Sequence, residues 1–309
     1  MGKEHHINGY TNDGFETVAE SFKSNFKSGW ENVGAAFAVY YKGNLVVDLW
    51  GGYADKSCRR MWREDTITTI FSCTKSIASI CVAMLVERGL CDYSDKVIKF
   101  WPEFSSNGKD DITIEMILAH KAGVPYFTPK LELADIIDGD RMSRIIEEEA
   151  PKFEPGSKTA YHPLTFGWLV DQDFTIYNNP DTRIVGQPGV NGIASARALA
   201  HVHQLVMEGS IISKDMLNKL SKPLFENEFD HTIGEIQNKG HGFMYTKSPT
   251  GSWQIGHMGV GGQVARMDPE NNVVLAYLTN GLKAGTGEHV FTYNRLERKI
   301  YDCIEKLRE

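Results

Sequence analysis

Hydrophobic positions along this chain follow two different periods. From Ser76 to Val86, apolar residues recur at the i, i+3, i+4 and i+7 spacing of one helix face, which predicts a buried helix. Helical spacing also covers Phe15 to Trp30 and Val290 to Ile304. Helices are therefore expected near both ends of the chain and shortly after residue 70.

Short apolar runs bounded by turn residues predict strands in two regions. The segment GAAFAVYYKGNLVVDLWGG indicates two strands about the turn Lys42-Gly43-Asn44. Three or four antiparallel strands are expected in succession from about Gly240, and the residues between are typical of helices and loops. The predicted fold class is α+β: an antiparallel sheet flanked by N- and C-terminal helices as a three-layer sandwich, with an inserted, mostly helical subdomain.

The order of these segments favours a single domain over residues 1–309. Sheet portions are expected at about 8–71 and 241–309, with the helical insertion at about 76–240 between them. The length of 309 residues also allows two intimately joined domains.

Composition narrows the classes of partner. The formal net charge is −7 and no basic block occurs, which disfavours nucleic acid and anionic membranes as partners. No uncharged apolar run reaches the ~18 residues of a membrane-spanning helix, and the start MGKEHHINGYTNDG has no apolar signal-peptide core. A cytoplasmic location is expected, mitochondrial import stays open, and the oligomeric state is not determined.

The cysteines and histidines show no metal-binding pattern. The five cysteines form no C-x-x-C, and no H-E-x-x-H motif occurs. Cys73 and Cys81 lie in the apolar helix and are expected to be reduced core or near-core thiols. Neither a metal site nor a cofactor is therefore predicted.

A lysine in the first turn of so apolar a helix is the first candidate for chemistry. Burial disfavours the charged form of Lys75, which makes the amine a usable base, and Ser72 precedes it by one helical turn. Backbone N–H groups at a helix start stabilise negative charge near such a serine. The spacing alone is weak, because Ser24 and Lys27 share it in a helix expected at the surface. A capping serine beside a snorkelling lysine explains it equally well.

Two further segments carry candidate groups. A Pro155-Gly156 turn leads to Tyr161, where a tyrosine near cationic groups can relay a proton, although a core aromatic is the commoner case. Residues 256–262 include four glycines, which favours close approach of a backbone or a ligand. A bulge or tight bend at a sheet edge is equally compatible with that density.

Taken in order, the motif SCTK at 72–75, Tyr161 and the motif HMG at 257–259 resemble the serine β-lactamase and penicillin-binding protein superfamily. More specifically, they resemble its class C-like branch of β-lactamase-related esterases and carboxypeptidases, which includes the β-lactamase domain-containing proteins of animals. Flanking segments such as VVDLWGGYAD, ILAHKAGVP and NGIASARALA extend the resemblance over about 8–281. A β-lactamase/transpeptidase-like fold is implied.

The resemblance implies a role for each motif residue. Ser72 would be the acylated nucleophile, Lys75 the base that receives its proton, and Tyr161 the group that relays protons to and from the leaving group. The segment His257–Gly259 would replace the Lys-Thr-Gly strand motif in substrate binding. The backbone N–H groups of Ser72 and Val260 would form the oxyanion hole.

Several departures from the family weaken a β-lactamase or cell-wall role. Members often have Tyr-x-Asn where this chain has Tyr161-His162-Pro163, and the strand motif lacks its usual lysine. The segment from Tyr161 to Asn191 spans only 30 residues. Part of the usual lid over the active site is therefore expected to be missing after about residue 172.

Three hypotheses on function follow. The leading one is a serine hydrolase of the esterase or amidase type, which forms an acyl-Ser72 intermediate with a small ester or peptide-like substrate. The alternative is a catalytically impaired scaffold or binding protein that retains the fold, favoured by the shortened middle. The third is β-lactamase or D-Ala carboxypeptidase activity.

Overall fold

The structure, a computed structural model, describes residues 6–136, 138–163, 165–166 and 189–309. Within those ranges, no helix has both the length and the apolar character needed to span a bilayer. The chain forms two compact units and passes from one to the other after residues 73, 192, 217 and 245. Unit 1 comprises 1–73, 193–217 and 246–309, and unit 2 comprises 74–192 and 218–245. The single domain with an insertion at 76–240 stays a prediction.

The described residues form strands and helices in an α+β order. In chain order they are β1 Ile7–Thr11, α1 Glu16–Lys27, β2 Gly34–Tyr41, β3 Asn44–Asp55, β4 Arg60–Met61, β5 Thr68–Thr69, α2 Thr74–Glu87, α3 Ile114–Leu118, α4 Leu133–Ile136, α5 Gly139–Glu148, β6 Ile193–Ala194, α6 Ala196–Glu208, α7 Lys214–Leu220, β7 Phe225–Asp230, β8 Glu235–Gly240, β9 Phe243–Lys247, β10 Trp253–Gly259, β11 Gln263–Asp268, β12 Val273–Thr279 and α8 Phe291–Lys306.

Unit 1 is a sheet covered by helices on both faces. Its antiparallel strands lie in the order β1-β3-β2-β12-β11-β10. Because side chains alternate along a strand, Phe37 and Val39 of β2 join the apolar core beneath α1 and α8. Tyr40 faces the opposite way and its hydroxyl lies 3.2 Å from Nδ1 of His201 in α6. The predicted α+β sandwich is confirmed, with α6 as its second outer layer.

Helix α2 is present as predicted, but its most buried face is not the apolar one. Lys75 and Ser79 have no exposed surface, whereas Leu85 is 42% exposed. The Ser79 hydroxyl donates to the carbonyls of Lys75 and Gly242, and a Cβ at Gly242 would overlap it. Small side chains with satisfied hydrogen bonds allow this close approach, which hydrophobic periodicity does not register. Cys81 is a free thiol, but its predicted place in or near the core is wrong, because the side chain is exposed.

Unit 2 contains two strands that the sequence analysis did not predict. Strands β7 and β8 have the sequences FENEFD and EIQNKG, in which polar residues occupy both faces. A search for apolar alternation therefore misses them, and strands were expected only from about Gly240. A separate apolar cluster of Val97, Phe104, Ile112, Ala122 and Val124 forms part of the core of this unit.

Helix α8 carries a carboxyl group into the core of unit 1. Glu297 is 3% exposed, and the Tyr293 hydroxyl donates to its Oε1 at 3.1 Å. Burial, reinforced by the negative charge of Glu288, raises the pKa of Glu297 from 4.5 to about 7. Between those values the folded protein holds a proton that the unfolded chain releases. This stabilising contribution is therefore complete below pH 4.5 and is lost as the pH rises through 7.

We expect Glu297→Gln to remove this pH dependence, because the amide stays neutral and can still accept from Tyr293. At pH 8 the free energy of unfolding of the variant should exceed that of wild type by up to roughly 3 kcal/mol. The difference should vanish towards pH 4.5, as measured by urea unfolding at both pH values. Glu305→Gln, on the exposed side of the same helix, is the matched control. Equal differences for Glu297→Gln at both pH values would contradict the assignment.

Candidate active site

Ser72 lies in the 3₁₀ turn Phe71–Cys73, which leads directly into α2. The turn is closed by the Cys73 N–H, which donates to the carbonyl of Ile70 at 3.1 Å. Phe71 has φ of 46°, in the left-handed region that bulky residues rarely adopt. Such strain costs on the order of 1–3 kcal/mol, persists only where the surroundings hold the backbone, and clusters at functional sites. The residue before the candidate nucleophile is therefore held by its packing.

The end of β10 packs against the turn that carries Ser72. The thiol of Cys73 donates to the carbonyl of His257 at 3.4 Å. A Cβ at Gly259 would lie 2.7 Å from the carbonyl oxygen of Ile70, so only glycine allows this approach. Unit 1 thus brings the strand motif predicted to bind substrate against the turn that carries Ser72, the predicted nucleophile.

Two other residues predicted to contact the substrate, one on β10 and one directly after it, differ in exposure. His257 is 1% exposed and its Nδ1 lies 2.6 Å from the carbonyl oxygen of Met258, whereas Val260 is 38% exposed. A Cβ at Gly256 would overlap the backbone of β11, and Gly261 has φ of 79°. The glycines therefore serve both close backbone approach and a tight turn, the two alternatives that the sequence left open.

Lys75, in the first turn of α2, has no exposed surface in unit 2, as the sequence predicted. Its Nζ donates to the carbonyls of Pro163 at 3.2 Å and Gly189 at 2.8 Å. The ring centroids of Tyr161 and Phe166 lie 5.1 and 5.2 Å from the same nitrogen. The buried amine therefore lies among backbone carbonyls and aromatic rings, at the position where the sequence predicted a base.

Tyr161 is held through its backbone as well as its ring. Its N–H donates to Oδ1 of Asp230 at 3.0 Å. Its ring meets the imidazole of His120 edge to face, with centroids 4.6 Å apart. Unit 2 therefore places the predicted base, Lys75, beside the ring of the predicted proton relay, Tyr161. The backbone of Tyr161 is held by Asp230.

The anchor of Tyr161 is a buried ion pair that the sequence analysis missed. Asp230 is 0% and Lys239 2% exposed, the two form a salt bridge, and Nζ of Lys239 also donates to the Thr159 hydroxyl at 2.9 Å. Burial opposes ionisation of Asp230, but the charge of Lys239 and several N–H donors hold its pKa below the ordinary value. No spacing motif connects these residues, because they lie on the two strands that were not predicted.

His162 and Pro163 occupy the positions of the family's x-Asn. His162 Nε2 accepts from the Val124 N–H at 3.1 Å, so the ring proton lies on Nδ1, 2.5 Å from the carbonyl oxygen of Ala160. Burial lowers the pKa of His162 to about 4, which keeps the ring neutral. Pro163 has no side-chain amide, but its carbonyl accepts from Lys75. Both residues therefore have supporting roles that the motif comparison did not reveal.

Two further predictions from the sequence concern the segment after about residue 172 and metal binding. The shortened segment expected after about residue 172 lies outside the described residues, which resume at 189. In the ranges that are described, no three His, Cys, Asp or Glu residues are grouped so that they could hold a metal ion.

Comparison with known proteins places the chain among hydrolase-like sequences. The beta-lactamase family model matches residues 22–172 and 170–298. Esterase/beta-lactamase LipL of Mycobacterium tuberculosis is 34% identical over 174 residues, 55% of this chain and 39% of LipL. Esterase EstB of Burkholderia gladioli is 28% identical over 173 residues, 50% of this chain and 42% of EstB. The matched region spans about two fifths of the length of these relatives.

Solved structures are similar over nearly the whole chain. A family VIII carboxylesterase matches 96% of this chain and 100% of its own, with a TM-score of 0.89 and 27% identity. A penicillin-binding protein homologue from Caulobacter crescentus has the same coverage and identity, with a TM-score of 0.84. Because the family model matches well over half of the sequence, the chain belongs to the beta-lactamase family.

Proposed function

We propose that this protein is a serine hydrolase of the esterase type that forms an acyl intermediate on Ser72. The observation that carries the proposal is the fully buried Lys75, one helical turn after Ser72, with two carbonyl acceptors and the ring of Tyr161 beside it. The names of the relatives LipL and EstB, and that of the similar carboxylesterase, support the same reaction class.

In the proposed acylation, Lys75 accepts the hydroxyl proton of Ser72 as Oγ attacks the carbonyl carbon of the ester. The carbonyl oxygen becomes an oxyanion, which the backbone N–H groups of Ser72 and Val260 stabilise. Tyr161 donates a proton to the departing alkoxide as the carbon–oxygen bond breaks, and Lys75 returns its proton to Tyr161. Water then attacks the acyl carbon, its proton passes to Lys75, and Ser72 recovers a proton as the acid leaves.

Small uncharged esters are the proposed substrate class, ahead of peptides and β-lactams. Penicillins and D-Ala peptides carry a carboxylate, which a cationic group on the substrate strand would attract. The corresponding residue here, His257, is 1% exposed and close to a backbone carbonyl. Pro163 likewise has no side-chain amide to bind a substrate carbonyl. Recognition of a carboxylated amide is therefore weak in this proposal.

The proposal also includes the branch of the family to which the protein belongs and its location in the cell. Segments such as VVDLWGGYAD and NGIASARALA favour the class C-like branch of β-lactamase-related esterases, including those of animals. A cytoplasmic location is proposed because all five cysteines are free, as thiols are in a reducing compartment.

The first test of the proposal is labelling with a fluorophosphonate probe, followed by intact-protein mass spectrometry. We expect one adduct on wild type and none on Ser72→Ala. Lys75→Met, which keeps the side-chain volume but removes the base, should slow labelling by roughly 100-fold or more.

The matched control is the second S-x-x-K segment of this chain. Ser24→Ala removes a serine whose hydroxyl donates to the carbonyl of Glu20 on the exposed side of α1, and labelling should be unchanged. A folded wild type that forms no adduct would refute the hydrolase proposal and favour the scaffold alternative.

Substrate class is tested by comparing kcat/KM for p-nitrophenyl butyrate and nitrocefin. We expect the neutral ester to be favoured by at least ~100-fold, since no exposed cation of the substrate strand is available for the nitrocefin carboxylate. Comparable values for the two substrates would contradict the esterase assignment and support β-lactamase activity.

The ion pair of Asp230 and Lys239 should affect catalysis through Tyr161. Lys239→Met leaves a buried carboxylate without its counter-ion, so we expect a loss of about 3–5 kcal/mol in the free energy of unfolding. The double variant Asp230→Leu/Lys239→Met removes both charges and should recover part of that stability, because three backbone N–H groups still lose the Asp230 acceptor.

Activity should not recover with stability in the double variant, because the Tyr161 N–H has still lost its acceptor. We expect kcat for p-nitrophenyl butyrate to stay at least ~10-fold below wild type, with KM little changed, since Tyr161 acts in proton transfer. A double variant with wild-type kcat would show that the ion pair serves stability alone.

A further inference from the structure

A cavity of about 650 Å³ opens in unit 1, where the end of α1 meets β3 and β4. Its size lies within the range of about 300–1,000 Å³ that is typical of small-molecule sites. Its apolar lining includes Phe26, Val33, Tyr53 and Met61, and its cationic lining includes Lys27, Lys56 and Arg59. The cavity therefore combines an apolar wall with a positively charged one.

The cavity is separate from the strand motif beside Ser72. It is lined by β3, whereas the nucleophile turn packs on β10, and strands β2, β12 and β11 lie between those two in the sheet. Four strand spacings of about 4.8 Å correspond to roughly 19 Å. The hydrolytic mechanism proposed for Ser72 uses none of the residues that line the cavity.

In the part of the chain that the structure describes, none of the cations Lys27, Lys56 and Arg59 forms an ion pair. The carboxylate nearest in sequence to these cations, that of Asp55, accepts from the N–H groups of Ser57 and Cys58 on its own turn. The acidic residue that lines the cavity, Glu31, is fully buried and its Oε1 accepts from Nζ of Lys283 at 2.8 Å. The cavity thus has a local surplus of positive charge in a protein whose formal net charge is −7.

Backbone geometry places two of these cations on one turn. The Arg59 N–H donates to the carbonyl of Lys56 at 3.4 Å, and Arg59 has φ of 57°, an uncommon value for a residue other than glycine. Nζ of Lys56 donates to the carbonyl of Asn32, another residue that lines the cavity, at 3.4 Å. Lys56 and Arg59 therefore lie on one turn at the edge of the cavity, with exposed side chains.

The apolar wall sets the second requirement for a ligand. Phe26 is 1% exposed and belongs to the core beneath the sheet, while Val33, Tyr53 and Met61 are half-buried. A simple inorganic anion would leave this surface in contact with water, whereas an apolar group would gain about 25 cal/mol for each Å² that it covers. A neutral apolar molecule would leave the cations without a partner.

We propose that this cavity binds a small amphipathic organic anion, with one carboxylate, sulfonate or phosphate headgroup and an apolar body. Lys56 and Arg59 bind the headgroup through charge-assisted hydrogen bonds, and the body packs against the half-buried Tyr53 and Met61. A divalent cation is disfavoured, because the one carboxylate among the described residues that line the cavity, Glu31, is already bound to Lys283, which leaves the side chains of Asn32 and His6 as ligands. This binding is independent of the proposed hydrolase activity.

The test uses 8-anilinonaphthalene-1-sulfonate, an aromatic monosulfonate whose fluorescence rises on transfer to apolar surroundings. We expect a saturable component with a stoichiometry of one, which octanoate displaces. Equal concentrations of inorganic phosphate or of 1-octanol should displace it at least ~10-fold less well, because each supplies only one of the two required features. Displacement by phosphate as strong as by octanoate would show a simple anion site, and equal displacement by 1-octanol an apolar one. Either result overturns the proposal.

Variants locate the binding site. Lys56→Gln/Arg59→Gln should weaken binding of the probe at least ~10-fold, and Met61→Glu, which places a carboxylate on the apolar wall, should weaken it at least as much. Lys23→Gln/Lys222→Gln removes the same charge from exposed positions that do not line the cavity and should change binding less than ~2-fold. Thermal unfolding confirms that each variant is folded. Unchanged binding in the folded Lys56→Gln/Arg59→Gln variant would place the probe elsewhere and refute the proposal.

Discussion

A fully buried amine is the constraint on which the arrangement of unit 2 depends. Removing Lys75 from water costs free energy, which is offset only if its N–H groups find acceptors in the interior. Backbone carbonyls of Pro163 and Gly189 supply them, and the rings of Tyr161 and Phe166 surround the same nitrogen. Segments far apart in the chain must therefore meet at α2, and small residues on its inner face make room for them.

The contacts around Tyr161 fix the position of its backbone but add little to the stability of the fold. A buried ion pair contributes little net stability compared with apolar residues of similar size, because two charges must be desolvated. The pair of Asp230 and Lys239 instead directs a carboxylate oxygen at the backbone N–H of Tyr161. Neutral His162 bonds to the adjoining loop through Val124. Together these contacts hold the tyrosine backbone in one position, as the proposed proton transfer requires.

Unit 1 uses one sheet to support two different sites. At β10 the backbone comes so close to the turn of Ser72 that Gly259 has no room for a side chain, and Phe71 keeps a strained conformation. At the other end of the strand order, β3 and the end of α1 leave a cavity instead. The central strand β2, buried on both faces, separates these regions with a rigid core. Dense packing at one end and open space at the other therefore coexist on a single scaffold.

Sequence alone determined the features that are encoded within one segment. The period of apolar residues located α1, α2 and α8, turn residues located the β2–β3 hairpin, and the S-x-x-K spacing before an apolar helix identified Lys75 as buried. Charged strands such as β7 were not predicted from the sequence, because their stability comes from neighbouring strands and not from an apolar face. The tertiary structure decided which face of α2 is buried, which carboxylate anchors Tyr161, and where unpaired cations line a cavity. Tyr161 and Asp230 are 69 residues apart, so their hydrogen bond depends on how separate segments pack, which no local pattern records.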